Sequence, residues 1–304
     1  MNYKESKIRA LIAEGEHTLA EGPHPERAKR EAETLLLQVF NEEAKDGNNG
    51  WLNHFAKAQN INSAWLIANQ NLSTLPIFRD RFRTLVNRRL TGEPIQYITG
   101  ETEFYGLPFR VMPDVLIPRP ETEHLVEKVL ALAVNLPAPH IVDIGTGSGV
   151  IAVALADHLP DAQITAIDLS VSALVIAREN AKNNGVALRF LEGDLLAPVA
   201  FEKFEIIVSN PPYVPTADRD QLSVEVRDFE PALALFAGDD GLDIYRRLIP
   251  AAFHALIPGG FVVLEIGFGQ SPAITNLLAA SGFEKIEFLP DLQGIPRVAS
   301  AQRS

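Results

Sequence analysis

The chain has 304 residues, 46% of them hydrophobic, with a mean hydropathy of +0.04, which is material enough for one large or two smaller globular domains. It has no cysteine, which removes disulfides, thiolate catalysis and Cys-ligated metals, and no apolar run approaches the ~20 residues of a membrane span. The net charge of −12 is unevenly placed: residues 1–91 hold 13 Lys/Arg and 11 Asp/Glu, residues 92–304 hold 14 and 28, so the larger part lacks the basic stripe of a duplex-binding surface.

In chain order, the opening "MNYKESKIRALIAEGE" mixes both charges and resembles neither a signal nor a transit peptide, so a cytoplasmic protein is expected. Ile8, Leu11, Ile12 and Leu19 recur at helical spacing, as do Ala28, Ala32, Leu35, Leu36 and Val39, with the breaker "EGPHPE" between them. Residues 41–62 are polar and Asn-rich and are expected to form a loop or insertion with a weak helix inside. A helix is predicted from about Pro76 to Leu90, Pro76 suiting its first turn. Its arginines, Arg79, Arg81, Arg83, Arg88 and Arg89, read as a solvated helix face or, alternatively, as a docking surface for an acidic partner or RNA.

From Thr91 to Pro120, β-branched and aromatic runs split by Gly and Pro predict a hairpin linker. Strands are then predicted at 140–144, 163–168, 187–192, 204–209 and 261–266, with helices near 121–134, 149–158, 171–184, 242–256 and 271–281. Short strands at 283–289 and 297–302 close the chain. Such alternation implies an α/β fold with a mostly parallel sheet covered on both faces.

Three stretches carry chemistry. In "HIVDIGTGSGVIAVALA" a strand ends at Asp143, and Gly145, Gly147 and Gly149 lead into a helix whose free N–H groups can meet a ligand's polar end. The spacing is G-x-G-x-G; the third glycine of the dinucleotide fingerprint would fall at Val150, which weakens a nicotinamide reading and leaves a tight turn as the plain one. Asp168 ends the next strand, where a carboxylate can accept from a ribose diol or cap the following helix. Asp194 ends the third, where it can hold an adenine amine or serve as a turn residue.

The last stretch is "IVSNPPYVP". At a strand's carboxyl end in an open α/β sheet it borders the ligand crevice. Pro211 and Pro212 stiffen the backbone, so the Asn210 side-chain oxygen and the Pro211 carbonyl can stand as two fixed acceptors. Two acceptors suit an NH₂ group, and an exposed Tyr213 would offer a flat face for a planar amide or base. The plain reading is a proline turn with a buried tyrosine. No spacing of His, Asp or Glu calls for a metal, and none is expected.

Together these segments resemble a class I, Rossmann-like S-adenosylmethionine-dependent methyltransferase acting on planar nitrogen. "GEPIQYITGETEFYGLPFRVMPDVLIPRPETE" (92–123), "NPPYV" (210–214), "EPALALFAGDDGLDIYRRLI" (230–249) and "DLQGIPRV" (291–298) closely resemble the PrmC/HemK family, the peptide chain release factor N5-glutamine methyltransferases. The sister family acting on a ribosomal-protein glutamine usually lacks the Pro-Glu-Thr-Glu that follows Ile117-Pro-Arg here. Residues 41–62 are longer than that family leads one to expect.

The resemblance implies a helical N-terminal substrate-docking domain (1–91), a β-hairpin linker (92–120) and a methyltransferase domain (121–304). It implies S-adenosyl-L-methionine as cofactor, S-adenosyl-L-homocysteine as product, and the Gly-Gly-Gln tip of class 1 release factors as substrate, with neither nucleic acid nor membrane as partner. Gly145, Thr146, Gly147, Ser148 and Gly149 then hold the cofactor's methionine end, Asp168 its ribose, and Asp194 and Leu195 its adenine, with Asn210 also nearby. Asn210, Pro211, Pro212 and Tyr213 bind the glutamine and carry the catalysis; Phe104, Arg119 and Glu121 line the site from the linker. The competing readings are a ribosomal-protein glutamine methyltransferase, a nucleic-acid amino-methyltransferase and a cofactor-binding scaffold without turnover.

Overall fold

Two compact units divide between Gly100 and Glu101. The computed structural model describes residues 6–45 and 61–304; expectations placed on residues 1–5 and 46–60 lie outside the described residues.

In the N-terminal unit the helices are α1 (Ile8–Leu19), α2 (Ala28–Lys45), α3 (Ser63–Ala68), α4 (Pro76–Leu90) and α5 (Ile95–Thr99). Two-residue strands β1 (Ser6–Lys7) and β2 (Ser73–Thr74) pair antiparallel. Ile8, Leu11, Leu35, Leu36, Phe40, Phe78 and Phe82 are wholly buried, each such side chain contributing about 1.5–3 kcal/mol. Phe40 meets Trp65 and Phe78 edge-on, with ring centroids 5.7 and 5.3 Å apart. A Cβ at Gly15 would stand 2.5 Å from Phe82 Cζ, so the missing side chain is what lets α1 lie against α4.

Two expectations are corrected here, the second in part. The loop expected to begin at residue 41 does not: α2 continues to Lys45, because Glu42, Glu43 and Ala44 are good helix formers and the buried Glu43 pairs with Arg81. The α4 arginines form the expected exposed face at Arg81, Arg83 and Arg88, and the exception is Arg89. Arg89 is 1% exposed and its Nε and Nη2 donate to both oxygens of Glu31, at 2.8 and 3.0 Å. Arg79 pairs with Asp80, Arg83 with Glu14 and Arg88 with Glu93. Each arginine of the group has a carboxylate beside it.

The C-terminal unit opens with a hairpin, β3 (Glu101–Phe104) and β4 (Leu107–Arg110), narrower than the 92–120 linker expected because Ile95–Thr99 is helical. Tyr105 and Gly106, both at positive φ (53° and 74°), form its two-residue turn, the twist such hairpins favour. A seven-stranded sheet follows, built from β5 (His140–Ile144), β6 (Gln163–Asp168), β7 (Arg189–Glu192), β8 (Phe204–Ser209), β9 (Leu256–Glu265), β10 (Phe283–Pro290) and β11 (Pro296–Arg303). Its order is β10-β11-β9-β8-β5-β6-β7, parallel from β9 through β7 and antiparallel at β11 and β10. Helices α6 (Glu123–Ala133), α7 (Val150–His158), α8 (Val171–Asn183), α9 (Val224–Phe229), α10 (Asp243–Ala255) and α11 (Ser271–Ala280) complete the unit.

The central strands are apolar at consecutive positions because both faces are covered. Val142, Ile144 and Ile207 enter one core with Leu248, Ile249 and Leu278; Ile141, Ile206 and Val208 enter the other with Leu125, Val129 and Leu155. The chain starts at β5 in the middle, runs outward to β7 and returns to β8 on β5's other flank. The connections leaving β5 and β8 therefore part in opposite directions, and a crevice opens at their carboxyl ends.

Candidate active site

The crevice holds a cavity of ≈340 Å³. Gly145, Thr146, Gly147 and Ser148 line it, as do Asp168, Asp194, Leu195, Asn210, Pro211, Pro212, Arg119 and Thr122. The glycine loop leaves β5 with Gly145, Gly147 and Gly149 at φ of 70°, 55° and 84°. Cβ atoms on Gly145 and Gly147 would meet nothing within 4 Å, so their backbone is bare on an open side, whereas one on Gly149 would stand 3.1 Å from Ala177 Cβ in α8. The first two glycines give access; the third gives helix packing.

Asp168 fastens this loop. Its Oδ2 accepts from Gly147 N and its Oδ1 from Ser170 N, both at 2.8 Å. Burial pushes its carboxyl up against the pull of those backbone donors. Asp143, wholly buried under the loop, accepts from Thr146 Oγ1 at 2.7 Å while its Oδ1 has no partner. Burial, opposed by Thr146 and reinforced by Asp168, pushes Asp143 up to about 7. Neither carboxylate has a salt bridge among the described residues.

The second loop leaves β8 beside it. Ser209 Oγ donates to Ile144 O at 2.7 Å, tying the two loops at their roots. Asn210 Nδ2 donates to Thr122 Oγ1 at 3.2 Å, and Thr122 Oγ1 donates to Glu265 Oε2 at 2.7 Å. Glu265, at the end of β9 and 2% exposed, is pushed up to about 7 by burial. Tyr213 is not the exposed residue expected: its ring packs against the sheet core, its hydroxyl donates to Glu265 Oε1 at 3.3 Å, and its carbonyl accepts from Gln270 Nε2 at 3.0 Å. It does not line the cavity, so stacking on its face is not what this arrangement offers.

The linker residues separate. Arg119 lines the cavity and donates to the buried Glu230 Oε1 at 2.6 Å, while burial raises the Glu230 carboxyl against Arg119's pull. Phe104 is 2% exposed, packed edge-on against Phe109 in the core, and stands away from the lining, as does the half-buried Glu121. Asp194 and Leu195 both line the cavity, Asp194 paired with Arg247 and Leu195 at a φ of 51°.

Residues 122–230 match the methyltransferase small domain and residues 54–100 the PrmC N-terminal domain. The release factor glutamine methyltransferase of Moorella thermoacetica is 42% identical over 299 residues, spanning 97% of this chain and 98% of that protein. This chain belongs to the release factor glutamine methyltransferase family. Another member, from Geobacter sulfurreducens, is 46% identical over 220 residues, 72% of this chain and 77% of that protein. The crystal structure of a methyltransferase from Pyrococcus furiosus, 18% identical, aligns over 74% of this chain and 98% of that one with a TM-score of 0.50, a likeness of fold. The class I methyltransferase architecture expected from the sequence is thus the one this member of the family adopts.

Sequence reading missed several residues that build the crevice in this family member. Glu265 stands out in hindsight as a charge ending the apolar run "FVVLE", at a strand's carboxyl end. Asn180 is a polar break in the buried stripe of α8. It accepts from Arg110 N at 2.7 Å and donates to Arg110 O and Ser148 O at 3.0 and 2.8 Å, clamping hairpin to glycine loop. Gln270 had no signal beyond lying after a strand.

Proposed function

We propose that this protein methylates the side-chain amide nitrogen, N5, of the glutamine in the Gly-Gly-Gln motif of bacterial class 1 peptide chain release factors, using S-adenosyl-L-methionine and leaving S-adenosyl-L-homocysteine. The observation that carries the reading is that Asn210–Pro212 line one cavity with the bare glycine loop and Asp168. Full-length likeness to a release factor glutamine methyltransferase supports the substrate class.

The crevice residues fit the cofactor. Gly145–Gly149 would hold its amino-acid end, Asp168 its ribose, and Asp194 with Leu195 its base. Asp168 lies beside the loop without a salt bridge among the described residues, a carboxylate suited to a cationic ligand. Asp168 accepts from the loop backbone and, lining the cavity, could also accept from a diol. When bound, S-adenosylmethionine supplies a methyl group on a sulfonium that leaves as a neutral thioether and needs no acid.

The chain's own contribution is positioning and electrostatics. An amide nitrogen is a poor nucleophile, its lone pair delocalised into the carbonyl. Asn210 Oδ1 and the Pro211 carbonyl would accept the two hydrogens of the glutamine NH₂ and stabilise positive charge growing on nitrogen, which then sheds one of those hydrogens as a proton to water. With Nδ2 engaged by Thr122, the Asn210 oxygen is the end left for this task. The acidic larger part, net −14 over residues 92–304, would steer a basic protein partner. We assign partner choice to residues 1–91, methyl transfer to residues 121–304 and the joint between them to 92–120, with the reaction in the cytoplasm.

Mass spectrometry of an unmethylated bacterial release factor, incubated with this protein and S-adenosylmethionine, tests the reading. One methyl gained on the Gly-Gly-Gln glutamine, and a rate about 10²–10³ lower with Asn210→Ala, are expected. No gain on that glutamine would overturn it.

A further inference from the structure

We propose that Thr122 and Glu265 are positioning residues that decide which way round the Asn210 amide is held, leaving its oxygen and not its NH₂ for the substrate. The inference rests on the reading of Asn210 as an acceptor for the glutamine amide. Three segments far apart in the chain meet to make the device: the turn before α6, the loop after β8 and the end of β9.

Glu265 sets the direction of every bond in it. Its Oε2 takes the Thr122 hydroxyl at 2.7 Å and its Oε1 the Tyr213 hydroxyl at 3.3 Å. An ionised carboxylate only accepts, so the single hydrogen on Thr122 Oγ1 is committed to Glu265. What Thr122 turns to Asn210 is therefore a lone pair, and Nδ2 donates to it at 3.2 Å. A flipped Asn210 would set oxygen against oxygen with no hydrogen between them, losing a bond at a buried threonine.

The anchor is itself held. Thr122 closes a single turn with its N–H on Arg119 O at 3.1 Å, and the backbone carbonyl of Glu265 accepts from Tyr245 OH at 2.7 Å. Neither Thr122 nor Glu265 needs to touch the substrate; both act through Asn210.

The test uses the full-length protein at about pH 8.5, above the value of about 7 to which burial pushes the Glu265 carboxyl. The side-chain amide of Asn210 is followed by ¹⁵N NMR and assigned by its loss in Asn210→Asp. In the wild type one of its hydrogens exchanges slowly; in Thr122→Val both exchange fast and the resonance shifts, while Thr122→Ser restores slow exchange. In steady-state methylation of a release factor, Thr122→Val and Glu265→Gln lower kcat by about ten- to hundredfold. KM and the affinity for S-adenosylhomocysteine stay within about twofold, and Thr122→Ser recovers most of kcat.

An Asn210 amide that Thr122→Val leaves unmoved, or a Thr122→Ser variant no better than Thr122→Val, overturns the proposal. If the NMR result holds while the wild type transfers no methyl to the release factor, the orientation device stands and the substrate assignment falls.

Discussion

Both units pair buried charge, as Glu230 with Arg119 in the C-terminal one, but only the C-terminal unit also leaves buried carboxylates without a cation among the described residues. In the N-terminal unit Arg89 and Glu31 are both withdrawn from water and face each other through two hydrogen bonds, and Glu43 is buried against Arg81. In the C-terminal unit Asp143 and Glu265 are withdrawn just as fully and Asp168 in part, yet no cation pairs with any of them among the described residues. Two are pushed up to about 7 by burial and the third is raised for the same reason. Charge neutralised within the chain is architecture. A carboxylate left without a cation in or beneath a crevice is a cost that a ligand or the site's own geometry has to explain.

The comparison can be broken most severely at Arg89. Arg89→Ala leaves Glu31 buried without its partner and should cost about 3–5 kcal/mol in denaturant unfolding; a loss below about 1 kcal/mol would mean the pair is no more than a surface contact. Next comes Asp168. Asp168→Ala removes charge-assisted acceptors from both the loop and the ligand, and affinity for S-adenosylhomocysteine in calorimetric titration should fall by about a hundredfold or more.

A smaller effect concerns pH. A carboxyl raised to about 7 in the fold favours the folded state most below its unfolded value of 3.8, and that contribution fades as pH rises through 7. Asp143→Asn should therefore melt higher than the wild type at about pH 8, by a few degrees, and show no gain at about pH 4. A gain at both would assign the effect to packing and not to ionisation. The smallest effect is expected at Arg83, whose pair with Glu14 is solvent-exposed on both sides: Arg83→Ala should change stability by at most about 1 kcal/mol and lose even that in high salt.

How legible all this was depends on the range of the interaction. Strands at 140–144, 163–168 and 204–209 agree with β5, β6 and β8 because a parallel strand buried on both faces is an unbroken apolar run stopped by a polar residue. The crevice was legible for the same reason, since Gly145, Asp168 and Asn210 each stand at the carboxyl end of such a strand. The helices at 63–68, 95–99 and 224–229 were not, being too short for a helical period to show. Nor were the pairings that join distant segments, such as Thr122 with Glu265, 143 residues apart, or Arg89 with Glu31, 58 apart. Phe104, in one core, and Tyr213, packed against the other, show a second limit: an aromatic near a motif is as readily core as binding surface.

Ile144 and Ser209 face each other in the ladder between β5 and β8, and the hydroxyl of Ser209 reaches across to the carbonyl of Ile144. The two loops of the crevice therefore depart from paired positions one strand spacing apart, about 4.8 Å. The separation between what each loop grips is inherited from the backbone ladder, as the gap between two rails is inherited from the sleeper. Side chains along the loops can change without resetting that gauge; a slip of β8 against β5 by one residue would lose it at once.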